Sequence, residues 1–250
     1  MRALILFGLF VFFLVIVQFA QAKTVDDIID KYLLARGGKD KLVSIVAIYL
    51  EGSREIMGNE VAVRVTKEQG KLSRTEFDAD GVTGFMLITD KDAWNYFPMR
   101  MQEPAKIPEA AVAGMQTELD ITGPLVDYAA KGHRVELMGK DSTDGIFTYK
   151  IKLTFKDCTQ RNYFIDTSSF LLVKSSATMI AKGKNDDAAK QGPAIETTTI
   201  YGDYKAINGI LFPHSIETSS PDGQGRSAGE TTFDKIEINQ PVDAKLYKPL

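Results

Sequence analysis

The pattern of apolar positions changes character along this chain of 250 residues, and each change predicts an element. Residues 3–17 form an unbroken apolar run behind Arg2, ending in Gln18-Phe19-Ala20-Gln21-Ala22. A short basic start, an apolar centre and an Ala-x-Ala end predict an export signal cleaved after Ala22. The run is shorter than the about 20 residues of a membrane span. Val25, Ile28, Ile29, Tyr32 and Leu33 then fall at helical spacing. Thr24, with Asp27 three residues on, opens this helix, and Gly37-Gly38 closes it. A short second turn is expected over 39–42. From residue 44 the period becomes two: Val61, Val63 and Val65 alternate with Ala62, Arg64 and Thr66. Extended stretches follow at 73–77, 85–89 and 93–97, with Asp80-Gly81 as a hairpin turn and Pro98 as a stop.

Residues 100–132 break the alternation. Pro104 and Pro108 preclude a regular strand. Residues 109–116 have helical composition, and Gly123-Pro124 restarts a second short helix over 125–131, stopped by Gly132. Alternation returns at His133. It is clearest where Phe147, Tyr149, Ile151, Leu153 and Phe155 share one face. Further strands are expected at 161–166, 171–179, 195–206, 211–217 and 229–238, with polar hairpin loops at 182–191 and 220–227. The count is about eleven antiparallel strands. A sheet of that size curls, because its strands twist. The expected class is mainly β with a few helices: a curled sheet carrying a helical plug on its concave face. No linker interrupts residues 23–250, so one domain is expected after the signal.

Charge and composition narrow the chemistry. The net charge is −3, and without residues 1–22 there remain 29 basic and 33 acidic side chains. Without a basic excess, nucleic acid is not an expected partner. Cys158 is the only cysteine, so no intramolecular disulfide can form. His133 and His214, the two histidines, are too few for a His/Cys metal cage, although a carboxylate site stays open. Surface roles are expected for both histidines and for the Asp157-Cys158-Thr159 turn. Asp26, Asp27 and Asp30 suit a helix N-terminus and need no further role.

Motifs of catalysis are missing: no Gly-rich phosphate loop, no G-x-S-x-G elbow and no H-E-x-x-H helix occurs. No catalytic residue, metal or cofactor is therefore expected. What remains is apolar surface. The expected cavity lining is Val63, Val65, Phe85, Leu87, Trp94, Tyr96, Phe147, Tyr149 and Ile151 from the strands. Met115, Leu119, Ile121 and Leu125 would meet them from a movable lid. Most other aromatic residues are expected to fill an ordinary core.

Several segments also resemble a known family. Residues 24–49 with Ala35-Arg36-Gly37-Gly38, and the stretch Asp90-Lys91-Asp92-Ala93-Trp94-Asn95-Tyr96-Phe97-Pro98, are similar to outer-membrane lipoprotein-sorting proteins related to the lipoprotein carrier LolA. So are Asn208-Gly209-Ile210-Leu211-Phe212-Pro213 and the ending Asn239-Gln240-Pro241-Val242-Asp243 with Pro249. The resemblance implies a half-closed antiparallel β-barrel with an N-terminal helix and a helical lid. It implies a monomeric, non-enzymatic periplasmic protein of a Gram-negative bacterium, carrying lipid or lipoprotein acyl chains toward the outer membrane. An inner-membrane donor and an outer-membrane acceptor would be its partners. In the family an Arg near the end of an early strand serves the handover. Here that region reads Val65-Thr66-Lys67-Glu68-Gln69, so Arg64 and Lys67 are the candidates. Two rival expectations stand beside the carrier: a periplasmic lipoprotein sensor or protein-interaction module, and a secreted hydrolase.

Overall fold

The computed structural model describes residues 23–56, 59–182, 191–219 and 229–249. The expected export signal, residues 1–22, lies outside them, as does most of both expected polar loops. Helix α1, Val25–Ala35, begins with a reciprocal cap: the Asp27 amide donates to Thr24 Oγ1 at 3.1 Å and the Thr24 amide to Asp27 Oδ2 at 2.8 Å. Ile28, Ile29, Tyr32 and Leu33 form its buried stripe. After Gly37-Gly38 a short helix α2 spans Lys39–Val43.

A first antiparallel meander follows: β1 Ala47–Ile56, β2 Asn59–Glu68, β3 Leu72–Ala79, β4 Val82–Thr89, β5 Ala93–Tyr96 and β6 Ala105–Lys106. The chain then passes through α3, Glu109–Met115, and a 3₁₀ turn, Gln116–Leu119. The second meander is β7 Arg134–Thr143, β8 Ile146–Thr154, β9 Gln160–Asp166, β10 Leu172–Lys182, β11 Gln191–Ile207, β12 Ile210–Ser219 and β13 Gly229–Ile238. A 3₁₀ turn at Ala244–Tyr247 ends the described chain.

Among the described residues thirteen strands form one sheet, ordered β6-β5-β4-β3-β2-β1-β13-β12-β11-β10-β9-β8-β7. Each meander pairs with its own neighbours, and β1 pairs with β13 to join the two. The sheet is not closed: β6 and β7 are free edges, linked only by the segment between them. This is a half-open antiparallel barrel. Thirteen strands replace the expected eleven partly because β6 is two residues long, between Pro104 and Pro108, and too short to show a period.

Turn chemistry behaves as the sequence suggests. Asp80-Gly81 (φ 53° and 79°) and Asp144-Gly145 (φ 48° and 82°) are tight hairpin turns with positive φ at both centres. At the β1–β13 seam the register slips between Glu51 and Gly52. A Cβ at Gly52 would lie 1.9 Å from the Thr232 carbonyl oxygen, so only glycine permits this approach.

The expected second lid helix over 125–131 is absent. Residues 120–132 form hydrogen-bonded turns, with Asp127 at φ 50°, a conformation that interrupts a right-handed helix. The expected five-residue apolar face of β8 is also shortened. Tyr149, Ile151, Leu153 and Phe155 are buried, but Phe147, next to the Asp144-Gly145 turn, is 69% exposed.

Candidate functional site

The segment after β6 is the only covalent bridge between the two free sheet edges, and it lies across the concave face. Cross-strand register defines that face. Val65, Thr75, Met86 and Asn95 are successive partners, and so are Lys67, Ser73, Ile88 and Ala93. Val112 and Leu119 of the lid pack on Ile88 and Ala93, with Met86, Ile107 and Met115 around them. This apolar contact is small. Leu125 and Val126 further along are buried in the main core, and polar bonds add to these contacts. The Gly70 amide donates to the Leu119 carbonyl at 2.9 Å, and the Ile121 amide donates to Gln69 Oε1 at 2.7 Å. Gln116 Nε2 donates to the Asp90 carbonyl at 2.9 Å. Lys67 Nζ reaches both the Glu118 carboxylate at 3.1 Å and the Glu118 carbonyl at 3.2 Å.

Inside the lid, Asp120 is a hub. Its carboxylate accepts from Lys131 Nζ at 2.7 Å, Thr122 Oγ1 at 2.7 Å and Gln69 Nε2 at 3.4 Å. Burial works to raise this carboxyl, but the bonds from Lys131 and Thr122 outweigh it and hold it below the usual range. The Lys67 charge holds Glu118 low in the same way. Tyr128 OH donates to Asp26 of α1 at 2.7 Å, and Lys39 of α2 pairs with Asp127. The lid is thus tied at one end to the β2–β3 and β4–β5 turns and at the other to α1 and α2.

Beneath the lid, toward β9–β12, lies a pocket of about 460 Å³, bordered by Lys67, Glu118, Ile121, Arg161, Thr199 and Tyr201, among others. A wider cleft of about 750 Å³ runs between the lid and the β8–β9 turn; it shares Thr117, Asp120, Pro124 and Phe155 with the pocket. A small space of about 160 Å³ beneath α1 shares Pro124, Arg161 and Tyr201 with it. The lining is mixed. Ser175, Thr197, Thr199 and Tyr201 supply hydroxyls, and Ile121, Phe155 and Ile216 supply apolar surface.

The structure distributes the expected cavity residues over several places. Val63, Val65, Tyr149, Ile151 and Leu125 are buried in the main core with α1, and Ile121 packs at its margin. Leu119 and Met115 sit in the small cluster with Ile88. Phe85, Leu87, Trp94 and Tyr96 do share one face, as alternation predicts. That face is turned away from the lid. Val242, Leu246 and Tyr247 of the C-terminal segment cover it. Alternation assigns residues to two faces, but it does not say which partner covers which face. Phe147 lines none of these spaces and is exposed. Among the expected residues, Lys67 and Ile121 border the concave pocket, Leu119 the wider cleft and Leu125 the small space.

The two handover candidates separate likewise. Lys67 latches the lid, whereas Arg64 is on the other face, 3.5 Å from Glu76. Sequence reasoning missed Arg161, Ser175, Glu118 and Asp120. For Arg161 a signal existed: it is in phase with Tyr163 and Ile165, so a charge stands on an otherwise inward face. His214, expected at the surface, is 4% exposed, and its Nδ1 is 2.6 Å from the Phe233 carbonyl oxygen. Cys158 is exposed.

No family model matches the chain, and no curated protein matches it. Solved structures do. A LolA superfamily protein from Nitrosomonas europaea is 14% identical, with TM-score 0.57 over 91% of this chain and 99% of that one. A DUF1329 family protein from Desulfovibrio piger is 13% identical, with TM-score 0.57 over 91% and 98%. A domain described as an outer-membrane lipoprotein-sorting protein, from Vibrio parahaemolyticus, is 13% identical, with TM-score 0.57 over 88% and 94%. The chain has a LolA-like fold.

Proposed function

We propose that this is an exported, non-enzymatic carrier of acyl chains that works by lifting its lid, moving lipid or lipoprotein across the periplasm to the outer membrane. The observation that carries the reading is the latched lid over a mixed pocket: Lys67 holds Glu118 on one side and the 460 Å³ pocket lies beneath. The resemblance to a lipoprotein-sorting domain supports it at the level of fold. The Glu118 side chain is 50% exposed, so this pair is worth no more than about 1 kcal/mol. Lifting the lid also exposes apolar surface, since Val112 and Leu119 are buried in the small cluster and Leu125 and Val126 in the main core. Burial of a methylene contributes about 0.8 kcal/mol, so a chain of ten or so offsets lid opening and the cost of ordering a ligand. Arg64, paired on the far face, has no part in this reading; Lys67 takes the lid-handling role.

A sensor or protein-interaction module is the second reading. It is favoured by the amount of protein side chain already filling the concave face beneath α1. The two separate on one experiment. Protein purified from its native compartment is extracted into organic solvent and the extract is analysed by mass spectrometry. An acyl lipid at near one per protein is expected for a carrier. An empty extract, together with no uptake of added fatty acid or lipopeptide, would leave the sensor. Trp94 lies beneath the C-terminal segment, so a reporter for this titration belongs at Thr199, as a labelled cysteine in a Cys158→Ser background.

A further inference from the structure

The geometry points to an oxyanion subsite at Arg161, which takes the carboxylate or phosphate head group of an acidic lipid while its chain runs out beneath the lid. This deepens the carrier reading and rests on it.

Two other shielded arginines are bonded to the protein, and Arg54 of β1, whose buried Nε has no partner among the described residues, borders none of the three spaces above. Arg36 donates to the Leu211 carbonyl at 2.8 Å and to Tyr32 OH at 3.0 Å. Arg74 bonds Glu76 at 2.8 Å and the Lys248 carbonyl at 3.0 Å. Arg161 is different. It is half-buried on the concave face of β9, between Leu153 and Ala177 in register. Among the described residues no carboxylate lies within 4.0 Å of it, and its ring neighbour is Phe155 at 5.8 Å. The acidic side chain whose charge it feels across the pocket is Glu118, already held by Lys67 at 3.1 Å. A guanidinium with unfilled donors in a partly desolvated pocket is costly unless a partner arrives.

Neutral donors gather beside it. The Tyr163 hydroxyl is buried against the guanidinium and interacts with it, and among the described residues no acceptor takes its own proton. Ser175 Oγ and Tyr201 OH are 3.1 Å apart and share one hydrogen bond, so of their two hydroxyl hydrogens one is free for an acceptor. Burial pushes both phenols up, which keeps them protonated donors at neutral pH. A planar fork and neutral hydroxyls in one pocket match the acceptor-only oxygens of a carboxylate or phosphate. The apolar exit is continuous: Pro124 and Phe155 border both this pocket and the wider cleft that Leu119 lines. Head group at Arg161 and chain toward Leu119 is the pose these surfaces allow.

The test uses the chain from residue 23 onward and four probes: palmitate, a palmitoyl lysophosphatidate, neutral monopalmitoylglycerol and inorganic phosphate. Binding is read by displacement of a fluorescent fatty acid and by calorimetry. The two acidic lipids are expected to bind at least tenfold more tightly than the neutral one. Arg161→Gln should weaken the acidic lipids about thirtyfold and leave the neutral lipid unchanged. Arg161→Lys, which keeps charge but loses the fork, should fall between. Equal binding of acidic and neutral lipids, or no effect of Arg161→Gln, would overturn the subsite while the carrier reading stands. No binding of any lipid would remove both, and phosphate binding lost in Arg161→Gln would then mark a small-anion site instead. Should Arg161→Gln fail to fold, unchanged discrimination in both Arg161→Lys and Ser175→Ala overturns the proposal.

Discussion

The two meanders use a shielded arginine in opposite ways. In β1–β6, Arg74 is 6% exposed, bonded to Glu76 and to carbonyls of the C-terminal segment, and stacked 4.3 Å from the Phe85 ring centre. Arg74 there is fully engaged, and a folded-back tail seals the face. In β7–β13, Arg161 faces a pocket with hydroxyls around it and, among the described residues, no carboxylate in contact. The first arrangement holds the scaffold together. The second leaves donors waiting. A buried, fully partnered charge reads as architecture, and an under-partnered one beside a cavity reads as a site.

That comparison can be broken most easily at Arg74. Arg74→Met should cost about 3 kcal/mol, because it strips Glu76 and two carbonyls of a buried partner. Arg161→Gln should change stability by less than about 0.5 kcal/mol, as expected away from structural contacts. Urea unfolding of both variants measures the difference, and equal losses would end the distinction. Next in size, Leu87→Ala removes a fully buried side chain beneath the C-terminal segment and should cost about 3 kcal/mol. Phe147→Ala, at an exposed site in the other meander, should cost a few tenths of a kcal/mol. A large loss there would show that Phe147 is covered in solution.

Smaller effects test the lid. Hydrogen exchange over residues 109–131 is expected to be faster than over β8, since short helices and turns open more easily than a core strand. Lys67→Gln should speed lid exchange several-fold while changing global stability by no more than about 1 kcal/mol. Added fatty acid should slow it again. If lid exchange matches β8 and ignores lipid, the segment is a fixed plug.

The smallest expected effect is a pH dependence of closure. Glu118 and Asp120 are both held below their ordinary values by lysine partners. A carboxyl depressed in the closed form stabilises it fully above its ordinary pKa, and that contribution is lost as pH falls through the depressed value. Closure should therefore be constant from neutrality down to about pH 5 and weaken below about pH 4. A fluorophore on Thr117→Cys, with Cys158→Ser, reads the transition; Glu118→Gln should flatten it. Weakening that begins near pH 6.5 would point to another group.

Much of the fold was legible along the chain. The Thr24–Asp27 cap, the α1 stripe, the Asp-Gly turns and the strand rhythm are local features, set by backbone sterics and by side chains a few residues apart. Even the break at 100–132 was visible from its prolines. The candidate site was less legible. Trp94 and Tyr96 announce a shared face, yet only the return of Val242, Leu246 and Tyr247 decides that this face lies outside the barrel. The lid's second helix was misread because Asp127 takes a positive φ that its tertiary bonds support and its neighbours do not announce.

By itself, then, the amino-acid order determined most of the elements and their amphipathic faces, because each depends on spacings of a few residues. Tertiary structure alone decided which face was covered and by what. It brought Lys67 to Glu118, 51 residues apart, and set Arg161 opposite a lid it does not touch in sequence. Those outcomes follow from the twist of thirteen strands and the closure of β1 on β13, a pairing of chain ends that no short window contains.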